Sequence, residues 1–326
     1  MSPTCRATPT PRDDLAGAVV IWPDRPVRVR VPATSANLGP GFDSLGLALG
    51  LHDMVHARVT RAGLAIKISG VGVENTRRRE RHLIVRAMRA AFEQVGEQPT
   101  GISLICDNAI PQGFGLGSSA GAIVAGVLAA RALCGEHGRD RLADDTVLDL
   151  AARLDGHGDN VAACLAGGLT IAWSTPTGFR CARLAPLTTL APVLCVPEVP
   201  LATAQARQVL PSTVPHADAA HNAARAALLI SALTMDAGPL LDATEDFLHQ
   251  RYRSAAMPES ARLMAALREA GVPAVISGAG PAVLALTVSG VTAGPDDVAA
   301  IAAQSGSDWT VVALDIDRHG AVIEST

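Results

Sequence analysis

"IPQGFGLGSSAGA", Ile110 to Ala122, decides how this chain is read, because it sets glycine-spaced positions and two serines between a strand-like and a helix-like run. Ile102 to Cys106 ahead of it reads as a strand, and Ala120 to Cys134 behind it is apolar apart from Arg131. That run falls short of the roughly 20 apolar residues a membrane span needs, so it predicts a buried helix. A glycine turn feeding a helix gives inward-pointing N–H groups, room for close approach and the positive end of a helix dipole. A phosphate cradle needs those three things. The same letters also satisfy Gly-x-Ser-x-Gly, the elbow that would make Ser119 the nucleophile of a hydrolase.

Neighbouring residues weigh these readings. A Walker loop places a lysine after its last glycine, where this chain has Ser118, and its one lysine, Lys67, lies far upstream. A Walker ATPase is thereby excluded. A hydrolase needs an acid and then a histidine on separate elements, but Asp149 and Asp155 crowd just before His157, and no HGGG-type segment precedes them. Phosphate binding leads, with the hydrolase and a plain Gly-rich packing turn open behind it.

Length and composition bound the rest. A chain of 326 residues, 48% hydrophobic, is long enough for two domains, and a net charge of -4 gives no reason to expect nucleic acid. Six scattered cysteines form no Cys-x-x-Cys pair, which predicts reduced thiols in a cytoplasmic protein without a disulfide framework. Leu15 to Trp22 is apolar but short, and Asp13 and Asp14 stand where a signal peptide would be basic. Residues 1–26 read as an extension, and no membrane partner is expected.

Val27, Val29 and Val31 alternate with Arg28 and Arg30 as in a half-buried strand. Leu45 to Leu51 repeats that period, Leu83 to Val95 has helical spacing, and Asp145 to Asp155 predicts a helix stopped by Gly156. "APVLCVPEVP" reads as a strand, and "VPAVISGAGPAVLALTV" as two strands about a glycine turn. An irregular patch from Trp173 to Arg183 places the domain boundary, giving segments 27–176 and 177–326.

Three motifs together resemble the GHMP-type small-molecule kinases, and within them the homoserine kinases: "PATSANLGPGFDSLGLAL" (Pro32 to Leu49), "IPQGFGLGSSAGA", and "SGAGPAVLAL" (Ser277 to Leu286). "DGHGDNVAACLAGG" and "HQRYRSAAMPES" are similar to the family as well. The resemblance implies an α+β, two-domain fold. Its ATP-binding N-terminal domain would be like domain 2 of ribosomal protein S5, with a left-handed crossover, and its C-terminal domain ferredoxin-like. It also implies ATP and Mg2+, L-homoserine as the small-molecule substrate, and a homodimer.

The resemblance implies roles that stand beside plainer readings. Pro111, Gly113, Gly115, Leu116, Gly117, Ser118, Ser119 and Ala120 would bind the ATP phosphates, although a serine there also suits a helix N-cap. Ser119 and Asp149 would hold the magnesium, although Asp149 could pair with Arg153 on a wet helix face. Asn37 and Asp43 would take the substrate's amino group, or simply form a turn. Arg207 and Arg253 would clamp its carboxylate, with Gly278 and Gly280 allowing close backbone approach. His157 and Asn160 would lie at the reacting hydroxyl. Gly158 departs from the family's proline, and Ala282 from its threonine or serine. Another GHMP kinase would have no use for Asp43, and a non-catalytic nucleotide-binding regulator would bind ATP without turnover.

Overall fold

The computed structural model describes residues 22–23, 25–72 and 79–324. Nearly all of the expected extension over residues 1–26 lies outside the described residues. The alternating valines do form a strand, β1 (Val27–Ala36), with Val29 and Val31 fully buried. β2 (Leu45–Thr60) pairs with it antiparallel and runs on past Leu51, because its second half also pairs with β4 (Gly101–Asn108). β3 (Gly63–Gly70) lies parallel to β4, and α1 (Leu83–Val95) connects the two.

α2 (Ser118–Leu133) is apolar on nearly every side because it sits in the centre of this body, against β1, α1 and three later helices. Gly126 lets α1 and α2 touch, since a Cβ there would come 2.5 Å from the Ile84 carbonyl oxygen. α3 (Gly135–Arg141), α4 (Asp144–Asp155) and α5 (Asp159–Ala166) complete the helical layer. β5 (Leu169–Thr175) then pairs with β2, and β6 (Gly178–Leu184) with β5.

The second body is a four-stranded antiparallel sheet. Its strands are β7 (Leu190–Pro197), β8 (Ala274–Ile276), β9 (Val283–Val288) and β10 (Trp309–Ala313), in the order β10-β7-β9-β8. Between β7 and β8 come α6 (Thr203–Gln208), α7 (His216–Thr234), α8 (Leu240–Ala243), α9 (Gln250–Arg253) and α10 (Pro258–Glu269). α11 (Pro295–Gln304) precedes β10. Taking α10 and α11 as the two crossovers, this is the β-α-β-β-α-β ferredoxin-like plan that the resemblance implies.

The expected division between residues 176 and 177 falls at the tip of the β5–β6 hairpin, where Thr175 faces Gly178. Pairing through β5 to β2 keeps both strands in the first sheet, so the bodies meet after β6 instead. The hairpin read as irregular because it faces solvent, with Trp173 45% exposed. β11 (Val322–Glu324) then returns to pair with β1, putting the end of the described chain back in the first body. Among the described residues, no helix is long and apolar enough to cross a membrane.

Candidate active site

The site lies between the two bodies, where four connections converge: β1–β2, β4–α2, α4–α5 and the β8–β9 turn. Together with α6 they enclose a cavity of about 200 Å3. Gly113, Gly115, Leu116, Gly117, Ser118, Ser119 and Ala120 all line it. The three glycines have φ of 82°, 77° and 67°, the left-handed region that side chains resist. Space is denied too: a Cβ on Gly115 would come 2.0 Å from the Ser277 carbonyl oxygen, and one on Gly117 1.9 Å from Thr34 Oγ1. Gly117 caps α2 without any side-chain hydrogen bond, leaving the first-turn N–H groups of this 16-residue helix without a side-chain partner. Such N–H groups are what an anion site made of main chain requires. Pro111 does not line the cavity; Asp53 Oδ1 fixes the loop's entry beside it, accepting from the N–H groups of Ala109 (2.7 Å) and Ile110 (2.8 Å).

The loop between β1 and β2 is built differently. Asn37, Leu38 and Asp43 have φ of 67°, 50° and 55°, costly for residues with side chains, so their surroundings must enforce them. Asn37 Oδ1 accepts from Asp43 N–H (2.9 Å) while its Nδ2 donates to the Gly278 carbonyl (2.7 Å). The turn-forming reading of Asn37 therefore describes what its amide does, although the residue also lines the cavity. Asn222 Nδ2 donates to Pro40 O (2.8 Å), and Leu38 is fully buried.

Asp43 thereby meets Arg207 at the rim, with Oδ1 2.5 Å from Nη2. Arg207 lines the cavity from α6, and its Nε is buried without a partner. Arg253 is 1% exposed and lies deeper: its Nε donates to Ala206 O (3.0 Å) and its Nη1 to Gly278 O (3.2 Å). Both guanidinium groups lie 5.6 Å from the Phe42 ring centroid. Gly278 lines the cavity, but Gly280 packs behind it, where a Cβ would come 2.6 Å from Met257 Sδ. Ala282 lies in the hydrophobic core shared by the two bodies, bonded by its N–H to Phe114 O, and does not line the cavity, so its missing hydroxyl is not missing from there.

Asp149 must be moved out of the expected metal site. It does not line the cavity: Arg153 Nε donates to its Oδ2 (2.8 Å) and Phe179 N–H to its Oδ1 (2.9 Å). On α4 the carboxylate at that position points to the β5–β6 hairpin, so the plainer i,i+4 pair is the one present. The carboxylate that does face the loop is Asp155, which lines the cavity beside Ser119. Burial pushes its pKa up, opposed by the neighbouring Ser119 hydroxyl. Asp159, 2% exposed, also lines the cavity; burial raises its pKa to about 6 against the bond from Asn160 N–H. Sequence reading weighed Asp155 only as a hydrolase acid and passed over Asp159, although both stand in the quoted Asp155-to-Asn160 run.

His157 and Asn160 line the cavity as expected. Burial, then Arg207, holds the His157 pKa down, so its imidazole is neutral at pH 7. Thr34 Oγ1 donates to Asn160 Oδ1 (2.8 Å), which leaves the amide NH2 as the end available to a ligand. Gly158 is a close fit, since a Cβ there would come 2.8 Å from the Phe179 ring. Among the described residues no histidine is hydrogen-bonded to the Ser119 hydroxyl, as the serine–histidine pair of a nucleophile elbow requires.

A second cavity, of about 310 Å3, opens on the other side of Ser118 and Ser119, which line both. Its walls include Val31, Val55, Ile84 and the β4–α2 loop, and His82 sits in it with Nδ1 unpartnered. Burial holds the His82 pKa low. A lone histidine ahead of a helix gave no signal in the sequence.

Comparison with known proteins decides what this architecture is. The GHMP kinases N terminal domain matches residues 82–168, and the GHMP kinases C terminal domain matches residues 219–306. A homoserine kinase of Streptomyces coelicolor is 53% identical over 297 residues, covering 91% of this chain and 94% of its own. The chain belongs to the homoserine kinases of the GHMP family. A second homoserine kinase, from Clavibacter michiganensis, is 45% identical over 303 residues, 92% of this chain and 94% of its own. The crystal structure of homoserine kinase from Cytophaga hutchinsonii superposes with a TM-score of 0.79 at 26% identity, covering 92% of this chain and 97% of that one. The family runs to other acceptors at the level of fold: a mevalonate kinase of L. major has a TM-score of 0.62 at 15% identity.

Proposed function

We propose that this enzyme transfers the γ-phosphoryl group of ATP to the side-chain hydroxyl of L-homoserine, giving O-phospho-L-homoserine and ADP on the way to threonine. The observation that carries the substrate is the Asp43–Arg207 pair at the cavity rim. An acid and a guanidinium set face to face are what an amino-acid zwitterion would engage, ammonium to Asp43 and carboxylate to Arg207, with a guanidinium offering two parallel N–H bonds. Mevalonate, shikimate and galactose have no ammonium for Asp43.

The triphosphate lies along Gly113–Ala120 on the α2 terminus, and the nucleoside fills the 310 Å3 cavity. His82 Nδ1 is there a free acceptor for a base or ribose donor. Ser119 and Asp155 fit a magnesium ion, which typically takes one or two protein oxygens and completes its shell with phosphate and water. When bound, the ion would neutralise phosphate charge. Phosphoryl transfer is loose and in line, so alignment carries most of the catalysis. The homoserine oxygen bonds to Pγ as the bond from Pγ to the β,γ-bridging oxygen breaks; its proton passes to a phosphoryl oxygen and then to water. Asn160 donates through its NH2 and cannot act as base, and neutral His157 lines the same space. A homodimer, which the family resemblance supports, completes this proposal.

An ADP-release assay with homoserine, mevalonate, shikimate and galactose tests it. Turnover with L-homoserine alone is expected; turnover with another of these alcohols and none with L-homoserine would overturn it.

A further inference from the structure

The segment from Asp246 to Arg253 holds a histidine that none of the steps above uses. His249 has no solvent exposure, and its ring contacts Gly39, Phe42 and Arg253, all on the acceptor side of the site. Its Nε2 lies 2.9 Å from the Gly39 carbonyl oxygen, which can only accept, so Nε2 carries the hydrogen. Its Nδ1 lies 3.0 Å from Arg253 Nη1, which can only donate, so Nδ1 is the acceptor. The ring stacks on Phe42, one residue before Asp43, with centroids 5.0 Å apart and planes at 26°. Both neighbours thus demand the same neutral tautomer.

We propose that His249 is a positioning residue for the acceptor substrate, joining the loop that carries Asp43 to the guanidinium of Arg253. From Arg253 the connection runs on to Ala206 O, beside Arg207, and to Gly278 O, which also receives Asn37 Nδ2. One imidazole therefore sets the spacing between the two charges that meet the ammonium and the carboxylate. Its other charged neighbours are Asp246, 3.7 Å from Nε2, and Asp43. A proton added at Nδ1 would face the N–H of Arg253. Burial first, with Arg253 assisting and Asp246 opposing, keeps the His249 pKa down at about 4.

This inference rests on the reading of Asp43 and Arg207 as the zwitterion clamp, and the experiment separates the two. Wild-type turnover of L-homoserine and the other alcohols is measured first and tests that reading alone; the acceptor that wild type uses then serves for the variants. His249→Phe keeps a flat ring against Phe42 and loses both hydrogen bonds, while His249→Asn keeps an acceptor near the Nδ1 position. For His249→Phe the proposal expects acceptor KM to rise by about tenfold or more, kcat to stay within about threefold, and the KM for ATP to hold. His249→Asn should recover part of that acceptor KM, and should show a smaller rise even if His249→Phe does not fold. Acceptor KM within about twofold of wild type in the folded variants, or parallel rises in the KM for ATP and for acceptor, would overturn it.

Discussion

The glycine loop at Gly113–Gly117 and the acceptor loop at Asn37–Asp43 both run through left-handed backbone, by opposite means. The first puts glycine at its positive φ positions and is stabilised by its own helix and by backbone contacts. The second places Asn37, Leu38 and Asp43 there, and is held by side chains from the second body: Asn222, His249 and, through Gly278, Arg253. A phosphate can be gripped by main chain alone. A particular amino acid must be gripped by charges at a fixed spacing, and here two bodies together fix that spacing.

The largest effect that would break this comparison is at Gly115. In Gly115→Ala the new Cβ would sit 2.0 Å from the Ser277 carbonyl oxygen at a φ of 77°, so phosphate-site and interbody geometry fail together. Kinase activity should fall below detection in the ADP-release assay. On the acceptor side, Asp43→Asn or Arg207→Gln each removes charge-assisted contacts that contribute about 1.5 to 3 kcal/mol, a fall in kcat/KM for homoserine of about 10- to 100-fold. Steady-state kinetics should show the KM for ATP unchanged, which is what divides the two loops.

Asp155→Asn acts across the divide. It should raise the KM for Mg·ATP by about tenfold, the order seen when a group that orients a metal's ligands is lost. Because burial raises the pKa of Asp155, acidification should weaken Mg·ATP binding in the wild type at a higher pH than an ordinary aspartate would. The variant should show a flatter pH profile of that KM.

A smaller effect is on stability. His249 titrates near 4 when folded and near 6.5 as a free side chain, so the unfolded chain binds its proton first on acidification. Its contribution is complete above 6.5 and is lost as the pH falls toward about 4. Thermal melts of His249→Asn should accordingly lose Tm less steeply than wild type over that window. The smallest effect is Asp149→Ala, which breaks the Arg153 pair and one bond from Phe179 N–H. Stability should drop by about 1 kcal/mol, with kcat within about twofold of wild type.

Legibility in the sequence divides along the same line. The glycine loop, its strand and its helix could be read because their signals are local: glycine spacing, an apolar run and the absent lysine. The acceptor loop could be quoted as a motif but not understood, since Asn222, His249 and Gly278 reach it from more than 180 residues away. Asp149 was given its metal role by the family resemblance, whereas its i,i+4 spacing to Arg153 pointed to the ion pair that the structure holds. Asp159 was missed, and Asp155 weighed only as a hydrolase acid, because burial beside the cavity has no signature in residue order. The β5–β6 hairpin hid for the same reason, its exposed Trp173 weakening the alternation that marks a strand.

The most direct test is a crystal structure with a non-hydrolysable ATP analogue, Mg2+ and L-homoserine. The account predicts phosphate oxygens on the N–H groups of Gly115 to Ala120, and the Asp43–Arg207 pair opened around the substrate, ammonium on Asp43 and carboxylate on Arg207. Phosphates bound elsewhere, or homoserine seated with that pair still closed, would contradict it.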